Sequence, residues 1–148
     1  MTSLAKALAS YKTIGIDSLC FIYYFEANDT FGETAKTLFS ALNKRSLKGT
    51  CSVLVMSEIL AFEHLQSDSI LYEKTKIKLR TTPNVRIVPI DETIAELAAI
   101  IKVKYHIELP DGIHIATAIV SKQDCFITND KKLKKITELP VLILSDFV

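Results

Sequence analysis

Apolar residues along this chain fall into two rhythms. Short unbroken runs at Thr13–Ile16, at Thr50 and Cys51, at Val85–Val88, at Cys125–Thr128 and at residues 141–144 have the length of strands. Between them apolar positions return every third or fourth residue, the period of a helix with one buried stripe. Ala35, Leu38, Phe39 and Leu42 keep that period over residues 33 to about 47, where Lys44, Arg45 and Lys48 gather ahead of Gly49. Late cations and a following glycine suit a helix C-terminus. Ile94, Leu97, Ala98 and Ile101 keep the same register from residue 91 to about 105, with Asp91 and Glu92 in the opening turn. Ser18–Phe25 is apolar at nearly every position, as in a helix buried on most sides, and Asn28, Asp29, Thr30 and Gly32 break it. A helix carrying Leu60, Ala61 and Leu65 starts somewhere between Ser52 and Ser57, and a lysine-rich one over Ser69–Arg80 closes at Thr81, Thr82, Pro83 and Asn84. Pro110 restarts the chain at a position typical of a first helical turn, which also holds Asp111. Residues 1–12 form an extension ahead of the first strand, in which Leu4, Ala5, Leu8, Ala9 and Tyr11 mark a short amphipathic helix.

Strands that alternate with helices imply a mostly parallel sheet covered on both faces. The fold expected is a three-layer α/β/α sandwich around four or five strands, in one domain spanning residues 1–148. Composition agrees, with 49% hydrophobic and 24% charged residues, and it excludes a disordered chain. No apolar stretch approaches the roughly 20 residues needed to span a bilayer. The opening residues lack a signal-like apolar core with a cleavage site, so the cytoplasm is the expected location. Cys20, Cys51 and Cys125 are widely separated and embedded in apolar runs, which suits reduced core thiols. The net charge of +1 gives no global signature of nucleic-acid binding, so any basic surface must be local.

Four carboxylates change this picture. Asp17, Glu58, Asp111 and Asp130 each stand where a strand-like run gives way to a turn or helix, or within the helix that follows. In an open α/β sheet, groups near the carboxyl ends of strands converge on one crevice. Acids crowded there repel one another unless hard cations neutralise them, and oxygen-only ligation suits Mg²⁺ or Mn²⁺ over zinc. The chemistry that follows is metal-assisted phosphodiester hydrolysis.

The segments IGIDSLCFIYYFE, CSVLVMSEILAFEHL, LPDGIHIATAIV and CFITNDKKL, which carry the four acids in that order, resemble the PIN-domain nucleases. The match is to the VapC type, the toxin half of bacterial and archaeal toxin–antitoxin pairs, and it runs from about Thr13 to Leu144. The resemblance implies an endoribonuclease leaving 5′-phosphate and 3′-hydroxyl ends. Asp17 would ligate or bridge the principal metal, Asp111 and Asp130 would complete the cluster, and Glu58 would be a ligand or a general base through a water. Ser18, Thr128 and Asn129 would orient carboxylates or water. An antitoxin of the VapB kind, a homodimer and an RNA substrate are the partners implied, with Tyr23, Tyr24 and Phe25 as candidate contact residues. The chain departs from the family pattern in its N-terminal extension and in Gly112, where members often carry another small residue such as Ala.

Each acid also has a structural reading: Asp17 as a helix cap, Asp111 as a dipole partner, Glu58 in a salt bridge and Asp130 in a turn. Lys131, Lys132, Lys134 and Lys135 lie beside Asp130 and are either a phosphate track, with Lys131 and Lys132 nearest the acids, or a solvated face. Lys74, Lys76, Lys78 and Arg80 are equally ambiguous. His64, His106 and His114 form no ligand pair, and a surface or core role is the expectation, although His114 is one turn from Asp111. A haloacid-dehalogenase-like phosphatase wants a second Asp two positions after the first, where this chain has Leu19. A housekeeping RNA-processing nuclease and a non-catalytic binding module of the same family stay open as alternatives.

Overall fold

The computed structural model describes residues 3–148, so the first two residues of the N-terminal extension lie outside the described residues. Five strands, β1 (Thr13–Ile16), β2 (Lys48–Ser52), β3 (Val85–Val88), β4 (Cys125–Thr128) and β5 (Val141–Ile143), form one parallel sheet. Their order is β3-β2-β1-β4-β5. The chain winds outward from β1 to β3 and then crosses back to lay β4 on the other side of β1, so the winding direction reverses between β1 and β4. Such a reversal opens a crevice beyond the carboxyl ends of the two strands.

The helices α1 (Leu4–Leu8), α2 (Ser18–Phe25), α3 (Gly32–Asn43), α4 (Leu54–Leu60), α5 (Glu63–Gln66) and α6 (Ser69–Arg80) cover one face. The other face is covered by α7 (Glu92–Tyr105) and α8 (Leu109–Val120). Strands buried on both sides need apolar residues at successive positions. Ile14, Ile16 and Ile127 accordingly pack with Phe21, Leu38 and Leu42, while Phe126 turns to the opposite layer and meets Ile115, Ala118 and Leu133. Asp68 and Asp91 cap α6 and α7 by accepting from Leu71 N–H at 3.0 Å and Ile94 N–H at 2.9 Å. This is the expected three-layer sandwich, with five strands.

Two glycines set where α8 lies. A Cβ on Gly15 of β1 would stand 2.6 Å from Ala118 Cβ, and one on Gly112 would stand 2.8 Å from the Ala98 carbonyl oxygen of α7. Helix α8 is thus seated directly on β1 and against the backbone of α7, which places its first turn at the crevice. The departure from the family pattern at Gly112 has this packing cause.

Several boundaries differ from those read in the sequence. Helix α3 ends at Asn43, before the cations expected in its last turn. Arg45 takes a left-handed φ of 60°, and Ser46 Oγ donates to the Ala41 carbonyl at 3.0 Å. Parallel pairing with Thr13 and Ile14 then draws Lys48 and Gly49 into β2, earlier than Thr50. Strand β5 stops at Ile143, and Leu144 opens a 3-10 turn, Leu144–Phe147. All three cysteines are free and buried, and burial pushes the thiols of Cys51 and Cys125 up to about 12. Among the described residues, no helix is long and apolar enough to cross a membrane.

Candidate active site

The crevice between β1 and β4 begins with Asp17, the first residue beyond β1 and the N-cap of α2. Its N–H donates to the Ile127 carbonyl of β4 at 3.0 Å, which ties it to the neighbouring strand. The residue is 3% exposed, and both carboxylate oxygens are held. Oδ1 accepts from Ser18 N–H at 2.8 Å and from the Ser18 hydroxyl at 3.4 Å, while Oδ2 accepts from the Thr128 hydroxyl. Ser18 and Thr128 are thus both hydrogen-bonded to the first acid.

Thr128 links that acid to the next one, because its Oγ1 also accepts from Asp130 N–H at 3.1 Å. Asp130 caps the 3-10 turn Lys131–Lys135 through Oδ1, which accepts from Lys132 N–H at 3.0 Å. Asp111 lies in the first turn of α8. Glu58 projects from α4, and its Oε1 accepts a hydrogen bond from His114 Nε2. The same Nε2 is 3.9 Å from Asp17 Oδ1.

Burial and shared charge make these groups one electrostatic unit. Burial pushes the Asp17 carboxyl up, and the Glu58 charge adds to it against the lowering pull of His114, Thr128 and Ser18. Asp111 is raised to about 6, by burial first and then by the charges of Asp17, Asp130 and Glu58. That rise occurs in spite of the α8 N-terminus, whose dipole favours an anion. Burial lowers the His114 pKa, but the Glu58 hydrogen bond and the charges of Asp17, Glu58 and Asp111 outweigh it, and the net shift is upward.

Among the described residues, no three His, Cys, Asp or Glu side chains close tightly enough to enclose an ion unaided. Mg²⁺ does not need such a cage, since it keeps several waters and takes one or two carboxylates together with substrate phosphates. Oxygen donors among which burial and neighbouring charges raise Asp17 and Asp111 are the chemistry a hard cation relieves. Asp17, Asp111, Asp130 and Glu58 are the oxygen donors here that could serve such a partly hydrated ion.

Asn129 does other work. Its Nδ2 donates to Tyr23 Oη at 3.3 Å and its Oδ1 accepts from Ser145 N–H at 2.9 Å, so its side chain ties α2 to the C-terminal segment and, among the described residues, makes no hydrogen bond to the four acids. Lys131 and Lys132 are exposed next to Asp130, whereas Lys134 is engaged with Asp146 at 3.1 Å. On α6, Lys76 pairs with Glu73 at 3.1 Å, and Lys78 lies 4.8 Å from the Phe25 ring centre. His114 is the residue that sequence reasoning missed. It is 2% exposed, as a core histidine would be, yet its ring stands between two of the acids. The one available signal was its place a single turn after Asp111 on an otherwise apolar helix face.

A parallel five-stranded α/β sheet with acids gathered at its winding reversal defines the class of protein to which the chain belongs. This chain belongs to the PIN-domain family, whose model matches residues 14–139. Solved structures of similar fold include a toxin–antitoxin complex from Klebsiella pneumoniae, at 21% identity and TM-score 0.65 over 90% of this chain and 98% of that one. VapBC2 from Rickettsia felis bound to a DNA fragment from their promoter is 16% identical, with TM-score 0.66 over 88% of this chain and 98% of that one. DNA-bound VapBC from Salmonella typhimurium is 12% identical, with TM-score 0.62 over 90% and 98%. No curated protein matches the chain.

Proposed function

We propose that this chain is a divalent-metal-dependent endoribonuclease that hydrolyses RNA phosphodiester bonds in the cytoplasm, as the VapC-like toxin of a type II toxin–antitoxin pair. The observation that carries the reading is that, in a PIN-domain chain, Asp17 is joined to Asp130 through Thr128 and approached by the His114 ring that holds Glu58. Burial and the charges of Asp17, Asp130 and Glu58 also raise the Asp111 carboxyl to about 6, which a bound cation would relieve. Asp17, fixed at both oxygens, is the principal ligand, Asp111 and Asp130 complete the set, and Glu58 ligates or takes a proton from a water. A bound Mg²⁺ or Mn²⁺ would supply an activated water and neutralise charge developing on the phosphoryl oxygens. Lys131 and Lys132, exposed beside Asp130, would neutralise flanking RNA phosphates.

The solved neighbours that are toxin–antitoxin complexes support a protein partner for this chain. Phe25 is the place to seat it. The ring is flanked by a cleft of about 270 Å³ with Tyr24, Phe39 and Lys78 and by one of about 170 Å³ with Ile22, Phe62 and Leu71. An antitoxin segment with apolar side chains would fill these clefts, and a homodimer would use another face. The test is expression in a bacterial host, with and without the product of an adjacent small gene. Wild type should arrest growth, the partner should restore it, and Asp17→Asn should be harmless. Arrest by Asp17→Asn equal to wild type would show toxicity unconnected with the acidic site. Harmless wild type with measurable RNase activity would favour the housekeeping nuclease.

A further inference from the structure

His114 and Glu58 come from elements on opposite faces of the sheet, and their side chains meet beyond the carboxyl end of β1, beside Asp17. The Glu58 side chain is 33% exposed and, among the described residues, finds its hydrogen-bond partner in His114 alone. The ring that receives it is held rigidly, because α8 is seated on β1 at Gly15 and on α7 at Gly112 with no room for a Cβ at either contact. The other ring nitrogen, Nδ1, is buried without a partner. An ionised carboxylate can only accept, so Nε2 carries a proton whether the ring is neutral or charged. The ring therefore presents Nε2–H to Glu58 from a fixed position, 3.9 Å from Asp17 Oδ1.

We infer that His114 is a positioning residue that fastens Glu58 to the acidic cluster: its Nε2–H occupies Oε1 and leaves the other carboxylate oxygen for a cation or its water. The inference rests on the metal-site reading above. A glutamate on a short helix has several rotatable bonds, and without an anchor it would spend its time in solvent away from Asp17. Hydrogen-bonded outer partners of this kind change metal affinity by about 10–100-fold when removed.

The experiment is calorimetric titration of Mn²⁺ into RNA-free protein at pH 8, for wild type, His114→Leu, His114→Gln, Glu58→Ala and the Glu58→Ala/His114→Leu double variant, with thermal unfolding of each. His114→Leu fills the core space without a donor, so it should unfold near the wild-type temperature but bind Mn²⁺ about 10–100-fold more weakly. His114→Gln restores an N–H donor and should recover most of that loss. In the Glu58→Ala background His114→Leu should change affinity by less than about threefold, because the group it positions is gone. Wild-type affinity in His114→Leu, or an equal loss with and without Glu58, would overturn the positioning role while leaving the metal site standing. A wild-type protein that binds no Mn²⁺ would overturn both this inference and the nuclease reading beneath it.

Discussion

Replacing Asp111 by Asn should make the metal-free protein more stable at pH 8 and weaken its hold on Mn²⁺. The Asp111 carboxyl is raised from 3.8 to about 6. At 1.36 kcal/mol per unit this is at most about 3 kcal/mol of strain in the ionised native state. Asp111 is only partly buried, so screening by water and salt reduces the recoverable part to roughly 1–2 kcal/mol. In a chain of this size that corresponds to an unfolding temperature higher by about 3–6 °C. The sign follows from proton linkage. The folded state keeps a proton that the unfolded state releases, so wild-type stability falls as pH rises from about 4 through about 6 and stays low above that. Asn removes the titration, and the gap between variant and wild type should therefore be widest at pH 8 and close below about pH 4. The assay is thermal unfolding in EDTA across that range, followed by Mn²⁺ titration. A variant no more stable than wild type at pH 8, or a gap of constant size at every pH, would refute the claim that burial and the neighbouring acids disfavour the Asp111 charge in the crevice.

Chelation by EDTA should abolish RNA cleavage, with recovery on Mg²⁺ or Mn²⁺, as a gel assay on single-stranded RNA would record; activity that survives exhaustive chelation would remove the metal from the reaction. Gly112→Ala would ordinarily favour a helix by roughly 1 kcal/mol. Here its Cβ would meet the Ala98 carbonyl oxygen at 2.8 Å, so a net loss of about 1–3 kcal/mol is expected in denaturant melts, together with weaker Mn²⁺ binding as the first turn of α8 moves. A stabilised variant would contradict the close crossing of α7 and α8. Changing Lys131, Lys132, Lys134 and Lys135 together to Gln in an Asp17→Asn background should flatten the dependence of RNA binding on salt, with Lys134 contributing least because Asp146 already engages it. Equal slopes of log binding constant against log salt would take this cluster out of the RNA path.

Local chemistry made much of this molecule legible in one dimension. Helix α7 announced itself through the register of Ile94, Ala98 and Ile101 behind a capping aspartate, and β3 and β4 through short β-branched and aromatic runs, because period and capping act within a few residues. The four acids were legible one at a time, each beside the end of a strand or within the helix that follows, and in the order of a known family. Distance through the chain hid the rest. Helix α3 stops at Asn43 because Lys48 and Gly49 are claimed by β1, and no residue near Asn43 carries that instruction. Whether the acids meet depends on the strand order, since only the placement of β4 against β1 puts Thr128 on Asp17 and Asp130 behind Thr128. His114 shows the limit most clearly. A histidine on an apolar helix face has the same sequence signature whether it fills a core or holds a carboxylate, and what separates the two is Glu58, which stands 56 positions earlier in the chain and reaches it only once the sheet is built between them.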